Sequence, residues 1–139
     1  MGPSFPIPQR ILPLPLAEAI LANWLLCRCG LAAVGGPISF APRAELCVEG
    51  GRVSGRAFEV PWGRSVDAVV ALLPGEAPQL VLLAREGAGL ECGANIASEP
   101  RDVLIFDAVT PLAQAPLPAG LPGDVLKLGG AMLRSAQIA

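Results

Sequence analysis

The sequence predicts a mainly β chain, with an antiparallel barrel or sandwich in the middle, an N-terminal helix before it and the start of a C-terminal helix after it. Three observations carry this expectation. From residue 38 to residue 109, short runs rich in valine, leucine and isoleucine recur, with turn signals about every ten residues. Two of the runs, DAVVALL (67–73) and QLVLLA (79–84), are continuously apolar, as strands covered on both faces are. On either side of this zone the apolar spacing lengthens to the three-to-four period of a helix.

The elements follow in order. Pro3, Pro6, Pro8, Pro13 and Pro15 make the first fifteen residues an extended leader. Pro15 suits the first position of a helix, PLAEAILANWLLCRC, in which Leu16, Ile20, Trp24 and Cys27 form a stripe widened by Leu21 and Leu25. Glu18 suits the dipole of the first turn, and Gly30 supplies a left-handed cap. Such a helix is apolar over more than half its circumference, more than a small barrel needs. After Gly35-Gly36-Pro37 come the strands ISFA (38–41) and AELCVE (44–49), a Gly50-Gly51 hairpin turn, and RVSGRAFEV (52–60). Neither face of that last strand is cleanly apolar, which predicts bends near Gly55. DAVVALL, QLVLLA, LEC (90–92) and RDVLIFDAV (101–109) complete the β part. A proline-rich connector, TPLAQAPLPAGLPG (110–123), leads to a closing helix capped by Asp124, which stops at Ala139 without the usual end signals.

Composition narrows the function classes. Apolar residues make up 53% and charged residues 16% of the chain, against about a quarter charged in ordinary soluble domains, so a surface covered by other polypeptide is expected. No apolar run reaches the ~18 residues that cross a bilayer, and the N-terminus lacks the pattern of a signal peptide, so a cytoplasmic protein with no membrane span is expected. The net charge is −2, and the ten basic residues are scattered, which argues against nucleic acid as a partner. Histidine is absent, and the spacing of Cys27, Cys29, Cys47 and Cys92 suits neither a bridge nor a zinc site, so no metal is expected and the four thiols read as reduced packing residues. Asp67, Asp107, Glu99, Asp102, Glu45, Glu49 and Glu91 read as solvated turn or outward-facing groups. Trp62, in the Val-Pro-Trp-Gly corner between two strands, reads first as a plug on the core.

The order of these parts resembles the acyl-CoA dehydrogenases, in their divergent short-barrel form. The resemblance rests on PLAEAILANWLL (15–26), VPWGRSVDAVVAL (60–72), EPRDVLIFDAV (99–109) and GAMLRSAQIA (130–139), and covers the central region of a full-length member. It implies three stretches: a leader and the last helix of an N-terminal helical domain (1–34), a middle β-barrel domain (35–110), and a connector with the truncated start of a C-terminal helical domain (111–139). It also implies FAD as cofactor, an acyl-CoA thioester as substrate, and homo- or hetero-oligomeric subunits. In the family a carboxylate removes the α-proton while a hydride leaves the β-carbon for the flavin. That base belongs to the C-terminal domain, so no catalytic residue is expected in this chain.

Departures from the family pattern matter. The region of the flavin-binding Thr-Glu-Pro-x-x-Gly-Ser-Asp loop reads GGPISFAPRAE (35–45), and Glu59, Val60 and Pro61 stand where a Trp-Ile-Thr segment is usual. Trp62 is then the nearest aromatic to the isoalloxazine edge and the one candidate cofactor contact. Arg101 is a candidate for a CoA phosphate or for an ion pair with Asp102 or Glu99. The resemblance implies first a dehydrogenase fragment without its catalytic domain; the alternatives are a non-catalytic companion subunit of a heteromeric dehydrogenase and a stand-alone β-barrel binding module.

Overall fold

The computed structural model describes residues 16–73 and 78–118, and the expected leader and closing helix lie outside the described residues. One helix, α1 (Leu16–Arg28), precedes eight strands: β1 (Ile38–Phe40), β2 (Arg43–Glu49), β3 (Arg52–Pro61), β4 (Ala68–Leu73), β5 (Gln79–Ala84), β6 (Gly89–Glu91), β7 (Arg101–Val109) and β8 (Ala113–Pro116). They form two four-stranded sheets rather than a closed barrel, one ordered β1-β4-β5-β8 and the other β2-β3-β7-β6. All neighbours are antiparallel except β1 and β4. The chain crosses from the first sheet to the second at Ala41-Pro42, where the Ala41 N–H donates to the Val70 carbonyl at 2.8 Å. The mainly β sandwich expected from the sequence is therefore present.

The layers explain the two continuously apolar strands. Val69, Ala71, Val81 and Leu83 of the first sheet meet Leu46, Val53, Ala57, Leu104 and Phe106 of the second in the inter-sheet core. Ala68, Val70, Leu80 and Leu82 face the opposite way and pack with Ile38, Phe40 and the helical Ala22, Leu25 and Leu26. Both faces of β4 and β5 are covered, and each large side chain so buried contributes about 1.5–3 kcal/mol.

The helix ends as expected. Gly30 has φ 81°, its N–H donates to the Cys27 carbonyl at 3.0 Å, and the Leu31 N–H reaches back to Leu26 at 2.8 Å, a Schellman closure. Its rotation differs from the expected stripe. Ile20 is 72% and Trp24 48% exposed, and Cys27 is also exposed, while Ala22, Leu25 and Leu26 are fully buried. The helix is apolar on both sides, so periodicity does not select a face; anchoring does. The Asn23 side chain accepts from the Val34 N–H at 2.8 Å and donates to its carbonyl at 3.3 Å, and small Ala22 lets the helix approach the sheet.

Strand β3 bends where its mixed pattern predicts. Its register with β7 slips between Val53 and Gly55 and again between Ala57 and Val60, where Glu59 has φ 55°. The second slip changes the alternation, so Val53, Ala57 and Val60 all point inward. At Gly55, φ is 131° and a Cβ would lie 2.0 Å from the Glu45 carbonyl oxygen, so only glycine fits.

Two expectations are corrected. The proline-rich stretch after residue 110 supplies β8, paired with β5 from Leu82↔Ala113 to Gln79↔Pro116; an edge strand tolerates proline. Of the four cysteines, all free, Cys27, Cys47 and Cys92 are exposed rather than packed, and only Cys29 is half-buried, where desolvation raises its thiol pKa against the lowering effect of Arg28.

Candidate functional site

The candidate site is the corner between β3 and β4, residues 62–65. Its shape follows from a left-handed residue directly after a proline. Trp62 has φ 52°, its N–H donates to the Pro100 carbonyl at 3.2 Å, and its own carbonyl accepts from the Ser65 N–H at 2.8 Å. The Gly63 N–H closes back on Val60 at 3.2 Å. The turn thus fixes the backbone from which the indole projects. Trp62 is half-buried against the inter-sheet core, the position expected of a plug.

Three arginines converge on this corner from three parts of the chain. Arg64 lies in the turn itself. Its Nη2 donates to Asp102 Oδ1 at 2.6 Å and to the Gly93 carbonyl at 2.9 Å, and its Nε donates to Asp102 Oδ2 at 3.1 Å. Its backbone N–H adds a bond to Asp102 Oδ2 at 2.8 Å. Arg85, just past β5, donates from Nε to the Gly63 carbonyl at 3.2 Å. Arg101 opens β7, lies 5.5 Å from the centre of the Trp62 ring, and pairs with Glu99 at 3.6 Å. Its Nη1 donates to the Pro100 carbonyl at 2.8 Å.

Asp102 is the centre of this arrangement, and it is fully buried, which corrects the reading of a solvated loop acid. The carboxylate accepts from Arg64 three times and from the Gly93 N–H at 3.1 Å. Burial pushes its pKa up, but the Arg64 guanidinium and the two backbone N–H groups outweigh burial and hold it below the usual carboxylate range. Hydrogen bonding to Asp102 in turn pushes the Arg64 guanidinium further up, against its desolvation.

Of the residues singled out from sequence, Trp62, Arg101, Glu99 and Asp102 are brought together here. The ion pair expected of Arg101 forms with Glu99, while Asp102 is taken by Arg64. Arg64, Arg85 and Gly93 carried no signal in sequence. An open hollow of about 460 Å³, lined by Val66, Asp67, Ala84, Arg85 and Glu86, sits at the start of β4. Its two carboxylates and single arginine, which is turned to Gly63, do not suit a phosphate-rich ligand. No group of three or more metal-ligating side chains occurs among the described residues.

The described residues do not fit a flavin as side-chain ligands. In the 35–45 stretch the one hydroxyl, Ser39 Oγ, is wholly buried without a partner and cannot reach a ligand at the surface. Gly36 lies so close to Asp67 that a Cβ would sit 2.7 Å from its Oδ2. In the other flavin-contact stretch, Val60 and Pro61 are buried and Glu59 pairs with Arg43 at 3.9 Å. Around Trp62, all three guanidinium groups already hold acceptors of this chain.

No sequence-family model matches the chain, and neither does the sequence of any curated protein. Solved structures do match in fold. One is the ChsE4-ChsE5 complex from Mycobacterium tuberculosis, with a TM-score of 0.63 and 18% identity over 86% of this chain and 39% of that chain. Another is a variant of the Tcur3481-Tcur3483 steroid ACAD, with a TM-score of 0.63 and 20% identity over 92% of this chain and 45% of that chain. The fold is therefore that of acyl-CoA dehydrogenase-related proteins, and this chain spans less than half the length of either of these two solved chains.

Proposed function

We propose that this chain is the β-sandwich region of an acyl-CoA dehydrogenase-type protein, and that it serves a heteromeric assembly as a companion that ligates no flavin itself. The activity of that assembly is flavin-dependent α,β-desaturation of an acyl-CoA thioester. Two observations carry the companion role: at the closed corner Arg64, Arg85 and Arg101 all bond within the chain, and in β1 the Ser39 hydroxyl is sealed in the core. The neighbouring ChsE4-ChsE5 structure, a complex, supports the heteromeric part of the reading. The stretches 1–34, 35–110 and 111–139 belong, on this reading, to three successive domains of the family, with β8 added to the middle one. No helix among the described residues is long and apolar enough to cross a membrane, and a cytoplasmic location accords with acyl-CoA chemistry.

A second reading makes the chain a dehydrogenase fragment whose Trp62 touches an isoalloxazine edge. The half-exposed indole, held by a rigid turn, favours it. Affinity purification of the tagged chain from its source organism separates the two. The companion reading expects a stoichiometric dehydrogenase-type subunit that carries the flavin and reduces an artificial electron acceptor with an acyl-CoA. A tagged chain that retains one flavin per copy by itself supports the fragment, and one recovered alone and colourless contradicts both.

A further inference from the structure

The two sheets leave four edge strands, and they are unequal. β1 and β6 have three residues each, and β8 has four and ends in a proline. β2 has seven residues, without proline, and among the described residues no group bonds to its outer rim. An edge of that length offers a row of backbone donors and acceptors to another strand. Charged side chains usually blunt such edges, yet here their order is self-complementary.

We infer that β2 is the contact through which two copies of this chain pair, antiparallel and with Leu46 on the two-fold axis. In that register Arg43 of each copy stands opposite Glu49 of the other, Ala44 opposite Val48, and Glu45 opposite Cys47. Strand alternation then keeps the two classes apart. Ala44, Leu46 and Val48 share the face toward the core, and Arg43, Glu45, Cys47 and Glu49 share the outer face. Val48, 42% exposed in the single chain, gains an apolar neighbour, and each Glu49 gains a cation. The Arg43 guanidinium lies over the Phe58 ring, 4.0 Å from its centre, which leaves its N–H edge free for an acceptor; its contacts with Glu45 at 4.0 Å and Glu59 at 3.9 Å are long, and its side chain is 55% exposed. A two-fold contact of this kind closes on itself and yields a dimer rather than a fibre. The inference uses the outer rim of β2 rather than the β3–β4 corner and stands whether or not the chain is a dehydrogenase companion.

The test is sedimentation of the full chain with a charge swap. Wild type is expected to dimerise, and Arg43→Glu or Glu49→Arg alone to weaken the dimer about tenfold or more, because each places like charges opposite one another. The double variant R43E/E49R restores the pairing and is expected to recover the dimer. A second arm keeps Cys47 as the single cysteine, with Cys27, Cys29 and Cys92 replaced by serine. In the inferred register the two Cys47 are diagonal neighbours at ~7–8 Å, so a short bis-maleimide joins them while direct oxidation does not. A wild-type chain that stays monomeric to ~100 µM, beyond the range of a specific contact, overturns the inference. So does a double variant that stays as weak as the single ones, or an absence of Cys47 cross-linking.

Discussion

Arg64 and Asp102 are 38 residues apart in sequence, yet the guanidinium grips the carboxylate at two points, Nη2 to Oδ1 at 2.6 Å and Nε to Oδ2 at 3.1 Å. The acid is fully buried, and the arginine side chain is 38% exposed at the rim. Strand β7 is thereby fastened to the β3–β4 turn, and the Gly93 loop is fastened to both. Replacing Arg64 by alanine strands a buried carboxylate. A clear loss of stability is expected in denaturant unfolding, since removal of Arg64 leaves the buried carboxylate without its cation. A loss below ~0.5 kcal/mol, the level of an ordinary surface change, would mean that the fork is not structural.

The same pair sets an acid limit. Because the folded-state pKa of Asp102 is depressed, protonation favours the unfolded chain. Its contribution is complete above the ordinary carboxylate range of about 4 and fades as pH falls through the lower folded value. Thermal unfolding of wild type is expected to fall more steeply below pH ~4 than that of Asp102→Asn, which has no proton to gain there. Parallel curves would assign the acid sensitivity to other groups.

At Gly55 the expected effect is steric. A Cβ would lie 2.0 Å from the Glu45 carbonyl oxygen and 2.9 Å from Leu46 Cα, both backbone atoms that cannot swing aside. Gly55→Ala is expected to lose about 3 kcal/mol or more, combining the clash with a backbone angle that side chains rarely adopt. Near-wild-type melting of that variant would contradict the bulged path of β3.

The two sides of α1 should answer differently. Leu25→Ala removes a fully buried side chain and is expected to cost about 2–5 kcal/mol, whereas Ile20→Ala, at 72% exposure, should change stability by no more than about 0.5 kcal/mol. Comparable losses at both positions would show that the Ile20 and Trp24 side is covered within the chain.

These contrasts mark how much was legible in the sequence. The strands were readable because short apolar runs between glycine and proline signals have few other solutions, and the mixed faces of RVSGRAFEV announced a bend near Gly55, though not the second slip between Ala57 and Val60. Gly30 as a cap was readable because the cap is local. The rotation of α1 was not, because Leu, Ile and Trp lie on both of its sides and the deciding contact, Asn23 with Val34, joins residues eleven apart. β8 was hidden by its prolines, which an edge strand tolerates. Asp102 looked like a loop acid because nothing near it in sequence announces a cation on the β3–β4 turn. The corner was visible as a Val-Pro-Trp-Gly signal, but its chemistry depends on Arg64, Arg85 and Arg101, which meet only in space.

The most direct measurement of the central claim is a flavin titration of the full chain carrying Trp24→Phe, which leaves Trp62 as the only tryptophan. With cooperative melting confirming a folded chain, Trp62 emission is expected to stay unquenched as FAD is added, and the gel-filtered protein to lack absorbance near ~450 nm, where a bound oxidised flavin absorbs. Saturable quenching of Trp62 with one flavin retained per chain would contradict the account, because the corner would then hold a cofactor although its arginines are already bonded within the chain.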